Sequence, residues 1–272
     1  MTSRIRRSAA LPAAGLALAA LLTGCGAPAA TAPPDDAKRP AEPVSSSPSL
    51  SASVRTQEAR REARRELPGI GPRTLAGIDG RTRQVLVVSG GGADANRATA
   101  ALYERGPERG PESGQESGPE SGWRRAAGPW PARNGLKGWT EDHRLGDLRT
   151  PIGVYGLTDA GGLLPDPGTE LPYDRRPEFT ARGTNFDGKP LDGAFDHVVA
   201  VNYNRKPGLT PLDWTRPLGE AKGGGIWIHV DHGGATQGCV GLARPRVAEL
   251  LKLLDPKARP VVVMGPEKSL AR

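Results

Sequence analysis

Cys239 and His229 are the residues of this chain best suited to chemistry. They stand ten positions apart, at the end of the stretch Ile226-Trp227-Ile228-His229-Val230-Asp231-His232-Gly233-Gly234-Ala235-Thr236-Gln237-Gly238-Cys239. A thiol with its ordinary pKa of about 8.5 is mostly protonated near neutral pH, so it needs a base beside it to act as a nucleophile. A strand that delivers a histidine and a glycine turn that delivers a cysteine can supply that pair. In an extended Ile226–Val230 segment the side chains alternate, so Ile226, Ile228 and Val230 face one way and Trp227 and His229 the other. The apolar face packs inward, which sends His229 towards a site or solvent. Gly233, Gly234 and Gly238 permit tight turns, and Gly238 leaves room beside the thiol. Backbone N–H groups at Gly238 and Cys239 are candidates for holding an oxyanion. His232 competes with His229 as the base. His229, His232 and Cys239, with Asp231 as a fourth ligand, also have the types for a zinc site, although the reading adopted needs neither metal nor cofactor.

The amino terminus says where such chemistry takes place. Arg4, Arg6 and Arg7 precede an apolar run over residues 9–22, which closes as Leu22-Thr23-Gly24-Cys25. The run is too short for a spanning helix, which needs about 20 apolar residues, and it has the build of a secretory signal. Its closing four residues resemble the lipobox of bacterial lipoproteins, in which Cys25 is acylated and becomes the first mature residue. An ordinary signal peptide with an incidental cysteine is the alternative, and both export the domain. The chain has two cysteines. With Cys25 lipidated, Cys239 is left as a free thiol outside the cytoplasm; a disulfide between them would require an uncleaved signal.

Composition divides the rest. Residues 26–69 are rich in Ala, Pro, Ser and Arg without apolar periodicity, as expected of a flexible tether. Residues 105–122 repeat Gly-Pro-Glu-Ser units that cannot fill a core, so they form an exposed insert between two strands. The span 70–268 is long enough for one domain with its own core. A net charge of +7 is spread along the chain and comes with no nucleic-acid-binding motif, which argues against nucleic acid as a partner.

Within that domain the apolar period is mostly two. Gln84–Ser89, Asp196–Asn204, Gly225–Val230 and Val261–Met264 carry the strand signature, with Ala98–Tyr103 and Gly153–Leu157 as weaker strands. One helix is expected over Arg244–Leu254, where Val247, Leu250, Leu251 and Leu254 make a stripe and Asp255-Pro256 ends it. Its dipole assists a thiolate only if the turn folds back onto it. Several short strands and one late amphipathic helix predict a mainly β domain. Trp123, Trp130, Trp139, Trp214 and Trp227 read as packing residues or groove walls. His143 and His197 read as satisfied histidines unconnected to the thiol.

Thr236-Gln237-Gly238-Cys239-Val240, preceded by Ile228-His229, resembles the signature of the L,D-transpeptidase catalytic domain (YkuD type). That pattern runs from a histidine through a spacer to Ser/Thr-His-Gly-Cys-aliphatic-Arg/Asn. Thr150-Pro151-Ile152-Gly153-Val154-Tyr155 is similar to an upstream segment of such domains. Arg133-Asn134-Gly135-Leu136 and Val201-Asn202-Tyr203-Asn204 resemble segments of a short-spacer branch. The chain departs from the commoner pattern in its spacer of ten, in Gln237 where a second histidine is usual, and in Gly241 where an arginine or asparagine often stands.

The resemblance, which covers roughly residues 84–265, implies a β-sandwich or barrel. It also implies acyl transfer between peptidoglycan stem peptides through a Cys239 thioester, with His229 as general base. Gly238 then supports the oxyanion, while Thr236 hydrogen-bonds the histidine or lines the site. Tyr203, Asn204, Gln237 and His232 are candidate substrate contacts. The expected protein is a monomer held by its lipid at the outer face of the cell membrane. Rival readings are an L,D-carboxypeptidase or other cysteine hydrolase of wall peptides, and a non-catalytic lipoprotein that binds the wall.

Overall fold

The computed structural model describes residues 66–106 and 122–272. Cys25 and the signal segment, the tether as far as residue 65 and most of the 105–122 repeat lie outside the described residues. Contacts divide the chain into units 1–47 and 48–272, and the description concerns the second.

Strand-forming residues bounded by Gly, Pro and Asn become short strands that close on themselves. The strands are β1 (Gln84–Gly90), β2 (Arg97–Arg105), β3 (Trp123–Arg133), β4 (Trp139–Thr140), β5 (Thr150–Pro151), β6 (Gly153–Gly162), β7 (Tyr173–Arg175), β8 (Val198–Val201), β9 (Trp227–Val230), β10 (Val240–Leu242) and β11 (Val261–Pro266). The sheet order is β11-β1-β2-β3-β10-β9-β8-β6-β7, and β6 also pairs with β11. Eight strands therefore form a closed, barrel-like sheet, β7 extends it beside β6, and β4 and β5 make a separate two-stranded parallel pair. Among the described residues the helices are α1 (Pro72–Leu75), α2 (Arg244–Leu253) and α3 (Glu267–Leu270), with short 3-10 turns at Glu220–Lys222 and Pro256–Ala258. None is long and apolar enough to cross a membrane.

The interior is filled by alternate residues of the ring. Leu86, Leu102, Trp130, Val201, Ile228, Val240, Leu242 and Met264 meet there with Val247, Leu250 and Leu251 of α2. The expected stripe on α2 is the face that is buried, and each fully buried aliphatic side chain stabilises by about 1.5–3 kcal/mol. A second cluster joins Val85, Val87 and Val263 to Leu67, Ile70 and Leu270. So β1 and β11 are covered on both faces, which is why they read as unbroken apolar runs. Leu67 is buried, so the folded part takes in residues that composition had placed in the tether. Trp123, Trp130 and Trp139 are buried as expected of packing residues, but Trp214 is 80% exposed, with Arg216 over its ring.

Candidate active site

The site is built on two parallel neighbours, β9 and β10, with Val240 opposite Ile228 and Gly241 opposite His229. Val240 and Ile228 are fully buried in the interior. Alternation then places Cys239, immediately before β10, and Gly241 on the outer face together with Trp227 and His229. Cys239 comes level with Trp227, and His229 lies one side-chain repeat further along β9. Diagonal neighbours of this kind sit roughly 7–8 Å apart at the backbone. The register thus brings the two sequence-predicted residues to one face of the barrel.

The expectation that His229 looks out to a site or solvent needs a correction. It does face outwards, yet it is only 2% exposed. The Phe195 ring meets it edge-on at 5.4 Å and His232 stacks on it at 5.7 Å. Its Nδ1 lies 2.9 Å from the Val230 carbonyl. A carbonyl can only accept, so Nδ1 carries the proton and Nε2 is left as the basic nitrogen. Burial drives the imidazole pKa down to about 4, against a smaller opposing effect of the Val230 carbonyl. Cys239 is half-buried. Its Sγ accepts from the Trp227 N–H at 3.4 Å and approaches the Gly225 carbonyl at 3.6 Å. Desolvation pushes the thiol up to about 11, and the Trp227 N–H opposes it. Burial disfavours both charged forms. Burial therefore works against a thiolate–imidazolium ion pair at this site.

Thr236 holds the turn rather than the histidine. Its hydroxyl donates to the Cys239 carbonyl at 2.7 Å and accepts from the Gly238 N–H at 3.1 Å. Its backbone clamps the Asn134–Leu136 segment through Thr236 N–H to Asn134 O and Leu136 N–H to Thr236 O. Replacing it with valine keeps the volume and removes both side-chain bonds from a buried position. Thr236→Val is expected to cost about 2 kcal/mol, lowering Tm by roughly 4–8 °C in a thermal melt. Because the Gly238 N–H is already engaged, it is not a free oxyanion donor as first expected. The Cys239 N–H has no hydrogen bond among the described residues and remains available. Gly238 has φ +152, which favours glycine, and a Cβ there would stand a tight 3.0 Å from the Arg149 carbonyl.

Of the other candidates, Gln237 is exposed at the turn and His232 is half-buried against His229. Tyr203 and Asn204 are not open contacts. The Tyr203 hydroxyl donates to the carbonyls of Lys222, at 2.8 Å, and His143. The Asn204 amide donates to the carbonyls of Gly219 and Gly223, while its oxygen accepts from the Leu218 N–H. Both fasten the 218–223 loop that leads to Gly225 and the sulfur. The helix dipole does not reach the thiol either, because β10 intervenes and carries the start of α2 roughly 10 Å further along the chain.

The sequence reading took His143 for a satisfied histidine unconnected to the thiol, and the structure sets it beside Gly238, the neighbour of Cys239. His143 is buried, its Nδ1 lies 3.1 Å from Asp147, and its Cε1 lies 3.5 Å from where a Cβ of Gly238 would stand. Burial lowers its pKa against the opposing charge of Asp147. No local pattern could have tied it to a cysteine almost a hundred residues away. His197 stays apart, 2.9 Å from the Tyr173 hydroxyl. Among the described residues no three His, Cys, Asp or Glu side chains cluster as metal ligands.

No curated protein and no solved structure matches the chain. The family model of the L,D-transpeptidase catalytic domain (YkuD) matches residues 124–263, from the start of β3 into β11, with both His229 and Cys239 inside. That match covers just over half of the 272 residues, and the mainly β, barrel-like sheet is consistent with it. The chain therefore belongs to the L,D-transpeptidase catalytic-domain family.

Proposed function

We propose that this protein is a peptidoglycan L,D-transpeptidase that works through a thioester on Cys239, with His229 as general base. The observation that carries the reading is the shared outer face of β9 and β10, with Nδ1 of His229 tied to a carbonyl and Nε2 free to take a proton. In the first half-reaction the Cys239 sulfur attacks the diaminopimelate carbonyl of a stem tetrapeptide, and its proton passes to His229 Nε2. The Cys239 N–H holds the oxyanion. As the carbon–nitrogen bond breaks, the imidazolium returns that proton to the departing amine of D-alanine. In the second, a side-chain amine of another stem attacks the thioester, loses a proton to His229 and releases the thiol with a 3→3 cross-link formed. Since burial disfavours the thiolate, proton transfer to His229 is expected to accompany attack instead of preceding it.

An exported protein, acylated on Cys25 and tethered by residues 26–65, would hold this domain as a monomer at the outer face of the membrane, within reach of the wall. The test is product analysis by mass spectrometry after incubation with purified disaccharide-tetrapeptide. The transpeptidase reading expects a dimer one D-alanine lighter than two monomers. Trimmed tripeptide monomers without dimers would replace transfer by carboxypeptidase hydrolysis. Retained wall binding without turnover would make the protein a binding lipoprotein.

A further inference from the structure

We propose that the groove beside β10 is an anion subsite in which Arg133 and Arg97 hold a carboxylate of the donor peptide attacked by Cys239. The proposal rests on a wall peptide being the substrate and adds the residues that select it.

One row of the outer face runs across three strands. Gly241 of β10 is level with Arg133 of β3, and Arg133 is level with Arg97 of β2. Strands lie about 4.8 Å apart, so the row extends about 10 Å from Gly241, which itself lies roughly 7 Å along β10 from Cys239. Over the Arg133–Arg97 end of this row lies a groove of about 430 Å³ lined by Arg97, Thr99, Pro131, Arg133 and Asp231 among others. Gly241 leaves this part of the face without a side chain of its own. A Cβ at Gly241 would stand 3.5 Å from the Cβ of Arg133, so the arginine of the neighbouring strand occupies the space beside the missing side chain.

The two guanidiniums are free to take an anion. Among the described residues the ion pair of Arg133 is a loose one, its Nε 3.9 Å from Asp231 Oδ2. The other oxygen of Asp231 accepts from the Gly233 N–H at 2.8 Å, which keeps that carboxylate at the wall of the groove. Arg97 is exposed and has no ion pair among the described residues. Two positive charges against one negative charge leave the groove cationic, and an arginine fork matches a carboxylate. A stem tetrapeptide offers a carboxylate at its terminal D-alanine and another on diaminopimelate.

The experiment is calorimetric titration of the full-length Cys239→Ala protein, which cannot turn substrate over. The ligands are the tetrapeptide acid and two derivatives, amidated at the D-alanine terminus or at diaminopimelate. Binding of the acid is expected to weaken about tenfold on adding Arg133→Gln, and further with Arg97→Gln, with Tm unchanged. One of the two amides should bind as weakly to the arginine-intact protein as the acid binds to the arginine variant, which identifies the carboxylate held. Affinity for the acid within twofold in the double arginine variant would overturn the subsite while leaving the substrate assignment standing. Equal weakening of acid and both amides would overturn it too. No binding of any peptide to the arginine-intact protein would overturn both.

Discussion

Cys239→Ala is expected to abolish turnover of tetrapeptide donors, lowering kcat by at least about 10⁴-fold, because removing a nucleophile removes the covalent route and leaves only binding and oxyanion stabilisation. The fold should hardly notice. The sulfur makes only two weak polar contacts, with the Trp227 N–H and the Gly225 carbonyl, and it sits at the outer face and not in the packed interior. Trimming it should cost about 1 kcal/mol or less, a Tm change of roughly 2–4 °C. Circular dichroism and a thermal melt alongside the turnover assay check both halves. Turnover within tenfold of wild type in a folded Cys239→Ala protein would remove the thioester from the mechanism. The outcome separates this residue from a small buried hydrophobe, whose loss would instead lower stability with activity following in proportion.

The second large effect belongs to His229. His229→Gln is expected to lower kcat/KM by about 10²–10⁴-fold, the usual contribution of a positioned general base. His232→Gln, which removes only the ring stacked on it, should cost less than about tenfold. The pH dependence separates the two histidines further. Burial holds His229 down at about 4 and the thiol up at about 11. The kcat/KM profile of the wild type should therefore stay level through pH 6–7, where an ordinary histidine titrates, and fall only as pH approaches 4.

The same depression links His229 to stability. Its folded pKa lies below the unfolded value of 6.5, so the unfolded chain binds the extra proton first. Stability contributed by the neutral imidazole is complete above pH 6.5 and is lost as pH falls towards 4, by about 3 kcal/mol in all. Denaturant unfolding at pH 7 and pH 4.5 should show this loss in the wild type and a smaller one in His229→Gln. An equal loss in both would place the acid sensitivity elsewhere, with buried His143 the next group to test.

The candidate cysteine and histidine could be picked out because both lie in one short stretch, where strand alternation and a glycine turn can be read locally. Their placement on one face depends on the parallel pairing of β9 with β10, and that pairing is set by the closed ring and not by the stretch itself. The strands β1 and β11 were visible as apolar runs, since both their faces are covered. β3 was hidden because its outer face carries arginines and its path runs through Gly128, Pro129 and Pro131, which break any alternation. β10 is three residues long, too short for a period to show. Tyr203 and Asn204 were noticed for the right segment and the wrong reason: their polar groups point into loop backbone, a contact with no local signature. His143 and the Arg133–Arg97 row come from distant parts of the chain, and only the fold sets His143 beside Gly238 and the arginines in line with Gly241.

Intact-protein mass spectrometry on acid-quenched reactions addresses the acyl-enzyme itself. Full-length protein mixed with disaccharide-tetrapeptide and no acceptor should gain the mass of the donor less D-alanine. Peptide mapping should place that mass on Cys239, and it should vanish in Cys239→Ala and accumulate slowly in His229→Gln. Cross-linking or hydrolysis that proceeds with no covalent intermediate, or with the acyl group on any other residue, would contradict the account.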